Sequence, residues 1–98
     1  MVDLQKLIKK ILEFRDEHAW KGTNSSKNLA LALTTEAVEL NKLFHWHKPE
    51  AVMDRKLRKE LADVFIYALL LMDKHGLDLE EIINDKLILD QAKYQLQS

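Results

Sequence analysis

Two glycines and one proline in 98 residues leave this chain little to turn corners with. Gly and Pro are the strongest punctuators of local structure. Their scarcity argues against a multi-stranded β fold and predicts a few long helices. The apolar spacing agrees. Leu4, Leu7, Ile8, Ile11, Leu12 and Phe14 largely follow the 3.6-residue period, which predicts a helix over about 3–20. Lys21-Gly-Thr-Asn-Ser-Ser26 then supplies a turn, with Ser25 or Ser26 as the N-cap of a helix over about 27–45. In that helix Leu29, Leu33, Ala37, Leu40 and Phe44 form a core stripe. Trp46-His-Lys-Pro49 breaks the pattern, because Pro lacks a donor and disfavours helix at the residue before it. A third helix starts between Glu50 and Asp54 and ends near His75, where Gly76 suits the left-handed position past a C-terminus. Its expected core residues are Leu57, Leu61, Val64, Phe65, Ala68, Leu71 and Met72. Asp78 with Glu81 has capping-box spacing, and Leu77 with Ile82 has staple spacing. A fourth helix is therefore predicted from just after Asp78 to about Tyr94, with Ile82, Ile83, Leu87 and Leu89 apolar and the tail over 95–98 frayed. The expected fold class is all-α: a four-helix, bundle-like protomer forming one domain over 1–98.

Composition narrows the function classes. A chain of this size buries only roughly two-thirds of its unfolded surface, so oligomerisation would extend its core. Net charge is −1, so no global field draws it to nucleic acid. The basic run Arg55-Lys56-Leu57-Arg58-Lys59 is short and reads as a solvated helix face. There is no Cys, hence no disulfide, thiolate nucleophile or Cys-based metal site, in keeping with a cytoplasmic chain. The longest apolar run, Val64 to Met72, has nine residues, far short of a membrane span. The opening Met1-Val-Asp-Leu-Gln-Lys6 lacks the layout of a signal peptide.

Four carboxylates stand inside the apolar helical stretches. Glu36 and Glu39 form one i, i+3 pair; Glu60 and Asp63 form another. Residues three apart share one side of a helix. The 20 residues between Glu39 and Glu60 leave room for a turn, so the two helices can lie antiparallel with their acids facing each other. Acids that close repel unless they are protonated or bridged by a cation. Hard divalent cations prefer oxygen ligands, and Mg²⁺ adds waters and substrate phosphates. Metal-assisted phosphate chemistry is the leading expectation. One Glu-x-x-Glu pair alone is more often solvated or salt-bridged; two pairs on successive helices are harder to dismiss.

Glu36-x-x-Glu39 followed by Glu60-x-x-Asp63 resembles the ExxE…ExxD signature of the MazG-like all-α nucleoside triphosphate pyrophosphohydrolases. Phe14-Arg-Asp-Glu-His-Ala-Trp20, Lys27-Asn28-Leu-Ala-Leu-Ala-Leu33, Leu43-Phe-His-Trp46, Glu60 to Tyr67 and Lys86…Lys93-Tyr94 resemble the dCTP pyrophosphatase branch in order and spacing. The resemblance implies hydrolysis between the α and β phosphates of a nucleotide, giving a monophosphate and pyrophosphate. It implies Mg²⁺ held by Glu36, Glu39, Glu60 and Asp63, and a dimer or a tetramer built from two dimers. Glu36 or Glu39 is the candidate to accept the attacking water's proton. Tyr67 is one turn past Asp63 and either meets the phosphates or packs as a core tyrosine. Lys86 and Lys93 meet a triphosphate or are solvated. Lys27 and Asn28 stand where a helix N-terminus favours anions, or serve only the turn. Trp20 and Trp46 stack on a base or cover the bundle's end. Asp90 falls where the family usually has Asn, and a carboxylate accepts hydrogen bonds only; Tyr94 completes the fourth-helix set. The expected substrate is dCTP or a related dNTP. The alternatives are dUTP, dATP or a damaged nucleotide in the same reaction, or a non-catalytic helical interaction module.

Overall fold

The computed structural model describes residues 3–18, 25–45 and 54–97. Trp20, Asn24, Trp46 and the break at Pro49 lie outside the described residues. Four helices follow in order: α1 (Leu4–Glu17), α2 (Ser26–His45), α3 (Asp54–Lys74) and α4 (Leu79–Gln97). No strand occurs among the described residues.

Local chemistry sets most of the ends. The Asp3 carboxylate accepts from the backbone N–H groups of Gln5 and Lys6 at 3.1 and 3.2 Å and so starts α1. Of the two serines before α2, Ser25 is the cap: its Oγ accepts from the Asn28 N–H at 3.0 Å. Asp78 Oδ2 accepts from the Glu81 N–H at 3.0 Å and starts α4. After α3 the chain closes with Leu77 N–H donating to the Met72 carbonyl at 2.9 Å and Gly76 N–H to the Asp73 carbonyl at 3.1 Å. This is the Schellman pairing, and it needs Gly76 at φ 65°. A Cβ there would meet nothing within 4 Å, so only backbone strain resists substitution. Gly76→Ala is expected to cost about 1 kcal/mol, lowering Tm by about 4–8 °C. Urea or thermal unfolding checks this; an unchanged Tm would show that the cap adds nothing.

Two boundaries differ from the sequence expectation. α1 closes at His18, whose N–H donates to the Phe14 carbonyl at 3.0 Å, and whose ring stacks on Phe14 at a centroid distance of 4.0 Å. α4 reaches Gln97 instead of stopping near Tyr94. No Gly or Pro follows Leu79, and Gln and Leu are good helix formers, so nothing in the tail ends it early.

α2 packs chiefly on α3, and α1 rests more lightly on α3. The pair is pinned at one end by Ser26 Oγ and His75 Nε2, 2.8 Å apart. That contact puts the start of α2 beside the end of α3, so the two run antiparallel. Among the described residues the buried ones are Leu29, Leu69 and Leu70. Leu69 and Leu70 were not in the expected stripe. They lie three and four residues past Ile66, which shares an apolar hollow with Ile11 and Phe14 of α1. α3 thus has two covered faces, one for α2 and one for α1. Conversely Ala37, Phe44, Leu61, Phe65, Ile83, Leu87 and Leu89, all expected as apolar core positions, are exposed. Among the described residues nothing covers those sides.

The chain is expanded. Its radius of gyration is 16.3 Å, against about 12.6 Å for a compact chain of this length. Its accessible surface is 8089 Å², against about 5,800 Å² for a compact protein of this mass. No helix among the described residues is long and apolar enough to cross a membrane. Arg55, Lys56, Arg58 and Lys59 are exposed, and Arg58 pairs with Asp54 at 2.7 Å, as a solvated face would.

Candidate metal centre

The pin at Ser26 and His75 fixes the level at which the acids meet. Glu36 is ten residues into α2 from Ser26, and Asp63 is twelve residues back from His75, so each sits roughly 15–18 Å along its helix from the pin. Glu36, Glu60 and Asp63 accordingly converge, each offering an oxygen within 4.8 Å of the other two. All three are half-buried. Glu60 Oε2 is buried and has no hydrogen-bond partner. A buried carboxylate oxygen without a partner is costly.

Glu36 records the crowding. Its carboxyl is held above the ordinary 4.5, first by loss of solvent, then by a hydrogen bond to Glu60 and by the charges of Asp63, Glu60 and Glu39. Tyr67 is raised too, first by burial and then by the charges of Glu36 and Asp63. A carboxyl raised on folding binds its proton more readily in the folded chain than in the unfolded one. Its stabilising effect is complete below pH 4.5 and is lost as pH climbs through the folded value. Metal-free protein is therefore expected to lose thermal stability as pH rises above 4.5, and Glu36→Gln to flatten that loss. Melting curves across pH check this; the same slope in the variant would assign it to other groups.

The donor set is oxygen only, crowded and partly orphaned. A hard divalent cation fits it: three carboxylates supply ligands, and Glu60 Oε2 would gain the partner it lacks. Glu39 is not in the triad. It is half exposed, and its Oε1 is 3.4 Å from Lys42 Nζ. Lys27 and Asn28 are exposed at the start of α2, roughly 12–14 Å along the axis from Glu36. On α4, Lys86 Nζ pairs with Asp90 Oδ1 at 2.7 Å, and Lys93 and Tyr94 are exposed. Among the described residues no side-chain hydrogen bond or ion pair joins these four to the acids. The structure thus gathers Glu36, Glu60 and Asp63, with Tyr67 within reach of the charges of Glu36 and Asp63. The Ser26–His75 pin was not foreseen; its partners are 49 residues apart with no motif to link them.

An all-α fold with three carboxylates converging from an antiparallel helix pair offers an oxygen-only donor set of the kind that suits a divalent cation. The chain belongs to the MazG-like family, whose profile matches residues 31–98. It is 32% identical over 90 residues to dCTP pyrophosphatase 1 of Rattus norvegicus, Mus musculus and Bos taurus, covering 84% of this chain and 53% of each relative. The chain thus spans about half the length of those relatives. A solved pyrophosphatase from Archaeoglobus fulgidus superposes with a TM-score of 0.84 at 30% identity, over 96% of this chain and 94% of that one.

Proposed function

We propose that the chain is a nucleoside triphosphate pyrophosphohydrolase that uses Mg²⁺ to cleave between the α and β phosphates, with dCTP or a related dNTP as substrate. The observation that carries this is the convergence of Glu36, Glu60 and Asp63 around an unpartnered buried oxygen. The likeness to dCTP pyrophosphatase 1 and to the archaeal pyrophosphatase supports it. When bound, Mg²⁺ supplies charge neutralisation of the phosphate oxygens and a water of lowered pKa.

The chain's own groups divide the remaining work. Glu36, Glu60 and Asp63 would hold the cation. Glu39, one turn away and outside the triad, is placed to accept the proton of the attacking water. Its contact with Lys42 is exposed and worth at most about 1 kcal/mol, so it releases readily, also for a role as fourth ligand. Tyr67 positions Asp63 or the phosphates. Lys27, Asn28, Trp20, Trp46, Lys93 and Tyr94 remain candidates for the rest of the nucleotide. Lys86 supplies the cation that Asp90 needs near a polyanion, and the acceptor-only carboxylate suits a base bearing an amine. The reading places the chain in the cytoplasm, cleaning the nucleotide pool, as a homo-oligomer that covers the exposed apolar sides.

The test is pyrophosphate release from a panel of canonical and modified dNTPs, with and without Mg²⁺. Release that needs Mg²⁺ and favours dCTP is expected. Release favouring another base would keep the reaction and correct the substrate; none from any nucleotide would refute the activity. Glu39→Gln separates base from ligand: turnover is expected to fall about 100-fold or more while Mg²⁺ still stabilises the fold. If the Mg²⁺ effect also disappears, Glu39 is a ligand.

A further inference from the structure

Two serines stand at the start of α2, and they do different work. Ser25 Oγ accepts from the Asn28 N–H at 3.0 Å and caps the helix. That leaves the Ser26 hydroxyl to reach across to His75 Nε2 at 2.8 Å. Either neutral tautomer of the ring completes the bond: Oγ–H donates to a bare Nε2, or Nε2–H donates to Oγ. The imidazole is held from its own backbone. The His75 N–H donates to the carbonyls of Leu71 and Met72 at 3.3 and 3.2 Å, in the turn that Gly76 closes. By contrast, the side-chain bonds of Thr34, Thr35, Lys42 and Lys86 stay within four residues on one helix and tie no two helices together. Apolar packing does not lock this end either. Leu33, Ala68, Leu71, Met72, His75 and Leu77 line an open hollow of about 340 Å³ where α2 and α3 meet. Apolar contact is non-directional and tolerates sliding, whereas a hydrogen bond has a required geometry.

We propose that Ser26 and His75 are positioning residues for the divalent cation: their bond holds α2 and α3 in the register at which Glu36, Glu60 and Asp63 form one ligand set. This rests on the metal-centre reading above. The acids do not set that register by themselves. Carboxylates with oxygens within 4.8 Å of one another push apart when ionised, so an empty site needs a tie elsewhere. Helices are stiff enough to carry the register over the roughly 15–18 Å from the pin to the acids. The tolerance at the far end is small. Mg²⁺ demands near-ideal octahedral geometry. A working site holds its ligands to about 0.5 Å, and one residue of slide along a helix is about 1.5 Å, so a slip of about a third of a residue spoils the set. The pin lies at the surface, and such a bond adds little to overall stability. Its worth lies in the fraction of time the pair spends in register. A cation that binds only that arrangement loses affinity in proportion as the fraction falls.

Titration of the metal-free full chain with Mn²⁺, which also takes oxygen ligands, tests this without any nucleotide. The paramagnetic resonance of the free ion gives the affinity, well below the melting temperature. Ser26→Ala and His75→Phe are each expected to weaken binding about fivefold, as for a pair in register about one-fifth of the time. The double variant should lose no more than either single one, because both cut the same bond. Ser26→Thr and His75→Gln keep groups able to make it and should bind close to the wild type. Asp78→Ala removes the cap of α4 and lowers Tm, yet should leave the affinity alone. A merely structural role would instead move affinity and Tm together in every variant. Pin variants that bind as the wild type does would overturn the proposal. So would a double variant that loses the product of the two single effects, or an Asp78→Ala that loses as much as they do. If His75→Phe loses helix by far-UV circular dichroism, Ser26→Ala and its threonine rescue decide alone. Glu60→Gln reads the underlying site. No Mn²⁺ binding by the wild type, or equal binding by Glu60→Gln, would remove the metal centre and this proposal with it. Binding that Glu60→Gln abolishes but the pin variants leave untouched would remove the pin's role alone.

Discussion

Glu60→Gln and Asp63→Asn are each expected to stop pyrophosphate release, lowering turnover by more than about 100-fold. Loss of groups that merely orient a metal's ligands costs about 10–100-fold, and loss of a ligand should exceed that. Both substitutions leave the side chain's size and its place on α3 unchanged. Both also remove a negative charge from a cluster whose oxygens lie within 4.8 Å of one another. Metal-free stability should therefore hold or rise while activity vanishes. That opposition is the diagnostic feature. A structural acid would show the reverse, with loss of stability and activity together. Steady-state turnover and a melting curve in chelator, on the same samples, read both. Turnover within a few fold of the wild type in either variant would refute the ligand assignment.

The second large effect is on the melting temperature. A ligand that binds only the folded state at about a hundred times its Kd adds about 2.7 kcal/mol. For a domain of this size that corresponds to a Tm rise of about 10–20 °C. Mg²⁺ is expected to give a rise of that order in the wild type at neutral pH. Glu60→Gln should abolish the rise. Protein concentration must be held fixed, because association also raises Tm. An equal rise in wild type and variant would place the cation elsewhere; no rise at millimolar Mg²⁺ would remove the site.

The helices could be read from the chain because their ends are made by neighbours in sequence. Asp78 caps its own third residue on, and Gly76 closes a turn only four residues long. The acids were legible for the same reason: i, i+3 spacing fixes a side of a helix before anything packs on it. What could not be read depends on a distant element. Leu69 and Leu70 are buried on a helix that meets both α2 and α1, and no pattern within α3 announces the second contact. Glu39 matches the motif as well as Glu36 does, yet it leans to Lys42; which of two acids on one turn enters a cluster is settled by the opposing helix. Lys86 and Asp90 satisfy each other on the same helix, a contact that spacing permits but does not demand.

The converging acids all come from α2 and α3, whereas the candidate contacts to phosphates and base, Tyr67 apart, come from the start of α2, from α4 and from Trp20 and Trp46. On the proposed function, bond breaking and much of substrate choice would fall to different segments. Drift along α4 would then change which nucleotide is accepted without disturbing the carboxylates. A library confined to residues 86–94 would be the natural route to new substrates from this scaffold.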